Sequence, residues 1–200
     1  MAEACKTCGA RLIFMSSDQV YNGNAEQGLL SESIDLHPVS VYGQHKLAAE
    51  RGVFDCLPDA IGLRLTWMYD LPSSPFKLNR NLLVNLQRTY EQHAILKAAT
   101  REYRGITSVW DVVKRLEACL SLPGGVYNFG CENNLTSYDT FIAAAKSMKL
   151  PSPECWILAD AERFPEHPRN LSMSLGKLRA FGIDFPSTCQ GFQIALASTI

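Results

Sequence analysis

Arg11-Leu12-Ile13-Phe14-Met15-Ser16-Ser17-Asp18-Gln19-Val20-Tyr21-Asn22-Gly23, followed by Tyr42-Gly43-Gln44-His45-Lys46, is the stretch that decides the fold. The apolar run reads as a buried strand that ends in two hydroxyls and a carboxylate. The second segment reads as a helix carrying Tyr42 and Lys46 four residues apart, which places both on one helix face. In open α/β sheets, ligands bind outside the carboxyl ends of the strands. A hydroxyl-bearing strand end next to such a helix points to a site that reduces a carbonyl.

That chemistry needs these residue types. Hydride delivered to a ketone leaves a developing alkoxide that must be protonated. A phenol has a reference pKa of about 10, and an ammonium one turn away favours its ionised form. Tyr42 is then the acid in reduction and the base in oxidation, worth ~10²–10⁴-fold. A Ser17 hydroxyl would stabilise the charge on the same oxygen.

Working outward, the chain has 200 residues, 46% hydrophobic and 20% charged, with a formal net charge of −1. This is enough for one domain with its own core. No basic run tracks a nucleic-acid backbone, and no apolar stretch approaches the ~18–20 residues of a membrane span. No signal peptide is visible. A soluble cytoplasmic protein is the expectation, with no nucleic-acid or membrane partner. The seven cysteines are odd in number and loosely spaced, unlike a disulfide framework. Cys5-Lys6-Thr7-Cys8 has a metal-like spacing, but no second ligand pair follows it, so no metal site is expected.

Ser16-Ser17-Asp18-Gln19-Val20-Tyr21-Asn22-Gly23 and Tyr42-Gly43-Gln44-His45-Lys46-Leu47-Ala48-Ala49-Glu50 together resemble the extended short-chain dehydrogenase/reductases. They are most similar to the dTDP-4-dehydrorhamnose reductase branch. The resemblance implies NADPH or NADH as cofactor and a nucleotide-linked sugar as substrate. It implies Ser17, Tyr42 and Lys46 as catalytic residues, with Ser16, Tyr42 and Lys46 beside the cofactor. It also implies Asp18, Trp67 and Arg104 as substrate contacts. Trp67 lies in Leu65-Thr66-Trp67-Met68-Tyr69, where the branch has a Trp beside the sugar. Arg104 matches an Arg that contacts the nucleotide diphosphate in extended members. His167 stands where the family's Arg-Pro-x-Asn begins, leaving Arg169 or Arg163 as replacements.

The family's fold begins with a nucleotide-binding half bearing a Gly-x-x-Gly-x-x-Gly turn. None of the 13 glycines here has that spacing. At ~30 residues per β-α-β unit, roughly 80 residues are expected to be absent. The expectation is therefore a partial Rossmann-like α/β sheet, N-terminally truncated, forming one domain over 1–200. Residues 1–70 and parts of 90–130 would supply the sheet and active-site helix, and roughly 70–95 and 130–200 a substrate lobe. A homodimer or a partner chain would supply the missing half.

Along the rest of the chain, Gly9 reads as a helix C-cap, Pro38 as a first-turn residue of the Tyr42 helix, and Ser40 as a second capping candidate for it. Residues 60–67 and 124–130 read as strands, 71–76 as a Pro/Ser loop, and 79–92 and 190–200 as helices. Thr136-Ser137-Tyr138-Asp139 has capping-box spacing. The implied activity is reduction of a nucleotide-linked 4-keto sugar. Related dehydratases carry Asp-Glu after the Ser/Thr, whereas this chain has Asp18-Gln19, and an amide is no base. The rivals are a nucleotide-sugar epimerase and a non-catalytic protein on the same fold. The latter would resemble the regulatory subunit of methionine adenosyltransferase, or be an inactive fragment.

Overall fold

The computed structural model describes residues 1–71 and 81–197. The Pro/Ser loop expected over 71–76, the start of the helix expected from 79 and the last residues of the terminal helix lie outside the described residues.

The first helix, α1 (Ala2–Cys8), stops at Gly9, whose φ of 67° is the left-handed conformation that glycine adopts without strain. Strand β1 (Ile13–Ser17) follows, then a 3-10 turn over Asp18–Tyr21 and helix α2 (Val41–Cys56). Helix α1 packs on α2. The Ser40 hydroxyl caps α2 by accepting from the Gly43 amide at 3.1 Å. Strand β2 (Ile61–Leu65) pairs in parallel with β1 and with β7 (Gly125–Phe129), giving a parallel sheet in the order β1-β2-β7.

This corrects the expectation of an N-terminally truncated chain with only a partial sheet. The opening residues form an α–β–α unit, α1-β1-α2, that is part of a Rossmann-like α/β layer. A left-handed glycine, Gly9, ends α1 and leads the chain into β1.

Beyond Thr66 the chain leaves the main sheet. Strand β3 (Trp67–Tyr69) pairs with β6 (Ile106–Ser108), β4 (Leu96–Ala99) with β8 (Ile157–Asp160), and β5 (Glu102–Arg104) with β9 (Arg169–Leu171), all in parallel. The helices α3 (Leu82–Glu91), α4 (Val109–Leu116), α5 (Ser137–Ser147), α6 (Gly176–Arg179) and α7 (Thr188–Ala197) complete the described chain. Asn81 caps α3 and Thr136 caps α5 through their side chains. One core lies between the main sheet and residues 175–185, around Leu63, Tyr127, Phe129 and Leu178. A second lies in the lobe, where Leu83, Leu86, Ala145, Ile157 and Phe192 meet.

A buried polar network crosses the main sheet. Arg64 of β2 and Glu50 of α2 have side chains only 4% exposed. Arg64 donates to Glu50 through Nε at 3.0 Å and Nη2 at 2.7 Å, a two-point pairing suited to guanidinium and carboxylate. Its Nη1 donates to the Tyr21 hydroxyl at 2.7 Å, and that hydroxyl donates to Asn128 Oδ1 at 2.8 Å. The Ser16 hydroxyl donates to Glu50. Burial pushes the Tyr21 phenol up to about 12 against the opposing pull of Arg64. Asn128 Nδ2 then donates to the Leu30 and Ser174 carbonyls.

Side chains cap both edges of the main sheet. Lys46 Nζ donates to the Met15 carbonyl of β1 at 3.0 Å. On β7, Lys177 donates to the Val126 carbonyl and Glu32 accepts from the Asn128 amide, each at 2.8 Å. Unpaired strand edges invite further strands, and charged side chains are one way of blunting them.

Helix α2 lies close on the turn after β1. A Cβ at Gly43 would collide with the Gln19 carbonyl oxygen and lie 2.9 Å from the Pro38 Cβ. Among the described residues no helix is long and apolar enough to cross a membrane.

Two stability predictions follow from this packing. Glu50→Ala strands the Arg64 charge in the interior and is expected to cost about 3–5 kcal/mol in urea unfolding. Gly43→Ala overpacks a backbone contact and is expected to cost about 1–3 kcal/mol, a fall in Tm of roughly 2–12 °C. A wild-type melting curve for either variant contradicts the packing described.

Candidate active site

Strand alternation decides which serine faces what. Successive residues of a strand point to opposite faces. Ser16 turns inward, 4% exposed, with its hydroxyl on Glu50, so the structure does not bring Ser16 to the site. Ser17 turns the other way. Its Oγ caps the 3-10 turn by accepting from the Gln19 amide at 3.3 Å, and donates to Asp18 Oδ1 at 3.1 Å.

Asp18 is 2% exposed yet fully paired. Its Oδ2 meets Arg104 Nη2 at 2.8 Å, while Oδ1 accepts from Ser17 and, at 3.2 Å, from Gln19 Nε2. Arg104 also lies over the Trp67 ring, 5.1 Å from its centroid, a distance at which a guanidinium is attracted to the ring face. Three expected substrate contacts, Asp18, Trp67 and Arg104, therefore form one cluster with Ser17 at the carboxyl end of β1. Trp67 is half-buried, with the Phe141 ring tilted against it at 6.5 Å between centroids.

Tyr42 and Lys46 project from the first two turns of α2. The Lys46 ammonium lies 5.7 Å from the Tyr42 ring centroid and is tied to the Met15 carbonyl. Tyr42 is 55% exposed. The contact between Gly43 and the Gln19 backbone joins this pair to the strand end: Tyr42 precedes Gly43, and Ser17 lies two residues before Gln19.

The structure adds Glu102, which the sequence reading had not joined to the site, and brings in Arg169, one of the two replacements named for the family's arginine. Arg169 Nη2 donates to Gln19 Oε1 at 2.7 Å, and its Nη1 to Glu102 Oε1 at 3.1 Å. Glu102 Oε2 accepts from the Ser137 hydroxyl at 2.8 Å. Arg169 lies 5.5 Å from the Phe164 ring centroid, and Phe164 has an unusual φ of 63° for a bulky residue. Burial lowers the Arg169 pKa, with Glu102 opposing and the nearby Arg104 adding to the fall. The sequence signal was faint. Arg169 lies two residues after His167, and Gln19 is 150 positions away. Asn170, next to it, donates to the Glu26 and Gly28 carbonyls and holds the loop that leaves the strand end.

Among the described residues no group of three or more His, Cys, Asp or Glu side chains could hold a metal ion. The paired carboxylates and guanidiniums make a site of balanced charge, with a phenol and an ammonium at its exposed side.

Comparison with known proteins bears on the chain as a whole. A dTDP-4-dehydrorhamnose reductase of Aggregatibacter actinomycetemcomitans is 26% identical over 205 residues, covering 95% of this chain and 67% of that protein. The methionine adenosyltransferase 2 subunit beta of Xenopus laevis is 28% identical over 194 residues, covering 92% and 56% respectively. The chain thus spans between about half and two thirds of the length of these relatives. The crystal structure of dTDP-4-dehydrorhamnose reductase from Bacillus anthracis str. Ames in complex with NADP superposes with a TM-score of 0.81 at 19% identity, covering 100% of this chain and 69% of that one. The profile of the RmlD substrate binding domain matches residues 1–198. The match runs over nearly the whole chain, the α1-β1-α2 unit included. The chain belongs to the RmlD substrate binding domain family.

Proposed function

We propose that this protein reduces a nucleotide-linked 4-keto sugar with NADPH or NADH. The observation that carries the reading is the placement of Lys46. Its ammonium faces the Tyr42 ring while bonded to the main chain of β1 just before Ser16-Ser17. This sets a phenol and an ammonium at the carboxyl end of a parallel strand, where α/β sheets take their ligands.

The donors present fit the nicotinamide end of such a cofactor. Lys46 uses one N–H on Met15, leaving two for ribose hydroxyls, and Tyr42 is exposed beside it. A bound nicotinamide supplies the hydride. Tyr42 gives its hydroxyl proton to the oxygen of the carbonyl being reduced, with the Lys46 ammonium over its ring. Ser17 hydrogen-bonds the same oxygen, with its hydroxyl leaving Asp18 to do so. Arg104 Nη1, which makes no hydrogen bond among the described residues, faces the diphosphate, and the Trp67 ring walls the sugar. Gln19 in place of a carboxylate disfavours dehydration, because an amide cannot accept a proton as a base.

A second reading has support of its own. The likeness to methionine adenosyltransferase 2 subunit beta covers 92% of the chain at 28% identity. On this reading the same fold and cofactor surface serve a non-catalytic regulatory protein that binds a partner without turnover.

Titration of the protein with NADPH and NADH, followed by cofactor fluorescence and then by turnover of a dTDP-linked 4-keto sugar, separates the two. The reductase reading expects binding and turnover. Tyr42→Phe is expected to lower turnover by about 10²-fold or more while cofactor still binds. Cofactor binding without turnover favours the regulatory reading, and no binding at millimolar cofactor removes both.

A further inference from the structure

We infer that Gln19 is a positioning residue: its amide transmits the placement of Arg169 to Asp18, and through Asp18 to Ser17 and Arg104. The role rests on the reductase reading only where it is measured by turnover.

Five side chains form one line of hydrogen bonds across the site. Arg104 meets Asp18 at 2.8 Å, and Asp18 accepts from Gln19 at 3.2 Å. Gln19 accepts from Arg169 at 2.7 Å, and Arg169 meets Glu102 at 3.1 Å. Gln19 is the only neutral member. It joins the end of β1 to β9, while Asp18 joins the same strand end to Arg104 of β5, the strand paired with β9.

The chemistry of the amide explains the choice. Between a carboxylate and a guanidinium, the linking group must donate on one side and accept on the other. An amide does both at once. A carboxylate at position 19 would still accept from Arg169, more strongly than before, but it has no proton for Asp18 and would set a second negative charge against it. An apolar side chain would make neither bond. Asp18 also accepts the Ser17 hydroxyl at 3.1 Å, so the donor from Gln19 helps fix the oxygen that orients Ser17. The backbone of Gln19 is held apart from the line by Gly43, packed against its carbonyl. A change of side chain therefore tests the amide rather than the turn.

Gln19→Glu and Gln19→Leu separate positioning from tethering. If Gln19 only ties β9 to the strand end, Gln19→Glu keeps that tie and turns over like wild type, while Gln19→Leu falls. If Gln19 positions Asp18 and Ser17, both variants lose kcat by about tenfold or more with KM changed less. Wild-type kcat for Gln19→Glu overturns the inference. Should the wild-type protein show no turnover, the reductase reading fails but the inference is still decided, by NMR exchange of the arginine side-chain N–H groups. Faster exchange at both Arg169 and Arg104 in Gln19→Leu supports positioning, because Arg104 touches Asp18 and not Gln19. Faster exchange at Arg169 alone overturns it.

Discussion

The Arg64 guanidinium, on the middle strand of the main sheet, sits almost fully buried against α2 and the 3-10 turn after β1. Taking it out of water costs several kcal/mol, recovered only if its donors find well-placed acceptors. Glu50, Tyr21 and, beyond Tyr21, Asn128 meet that demand. The pairing adds little net stability over an apolar core of similar shape. What it fixes is register. Helix α2 can lie on the sheet only where Glu50 reaches both Arg64 and Ser16, and the 3-10 turn only where Tyr21 lies over the Arg64 guanidinium. Tyr42 and Lys46 take their places from the first constraint, and the loop leaving Tyr21 takes its path from the second.

Two adjacent serines divide the molecule between structure and chemistry. Ser16 joins the buried network on the α2 side of β1, while Ser17 joins the line of charges on the other. The pleat of one strand thus couples a rigid foundation to a site made of paired ions. Because Asp18 and Glu102 each face a guanidinium, the site holds two arginines without an excess of positive charge. Arg104 is also stacked on Trp67, so the cation and the aromatic wall are placed by one contact.

Much of this was legible along the chain. The strand ending at Ser17, the helix capped by Ser40, the Gly9 stop and the Thr136 cap all follow from local patterns, and the structure has them at those positions. The expectation for the N-terminal part failed because the absence of one glycine spacing was treated as the absence of an α/β unit, and α1-β1-α2 is such a unit. Local pattern also failed at Thr66. The apolar run from residue 60 through Tyr69 reads as one strand, but it splits there. Thr66 bonds Thr107 across the break at 2.6 Å, and Trp67 begins a different strand pair.

By itself the sequence determined the elements, their caps and the Tyr42–Lys46 pairing, since these depend on residues within a few positions of one another. Only the tertiary structure decided which polar groups meet. Gln19 and Arg169, Asp18 and Arg104, and Arg64 and Asn128's partner Tyr21 lie 150, 86 and 43 positions apart. A hydrogen bond is selected by distance and direction in space, and no periodicity along the chain encodes that for residues on different strands. The same reason hid the inward turn of Ser16. Its residue type fits a cofactor site, but the pleat and the waiting carboxylate of Glu50 placed it in the interior.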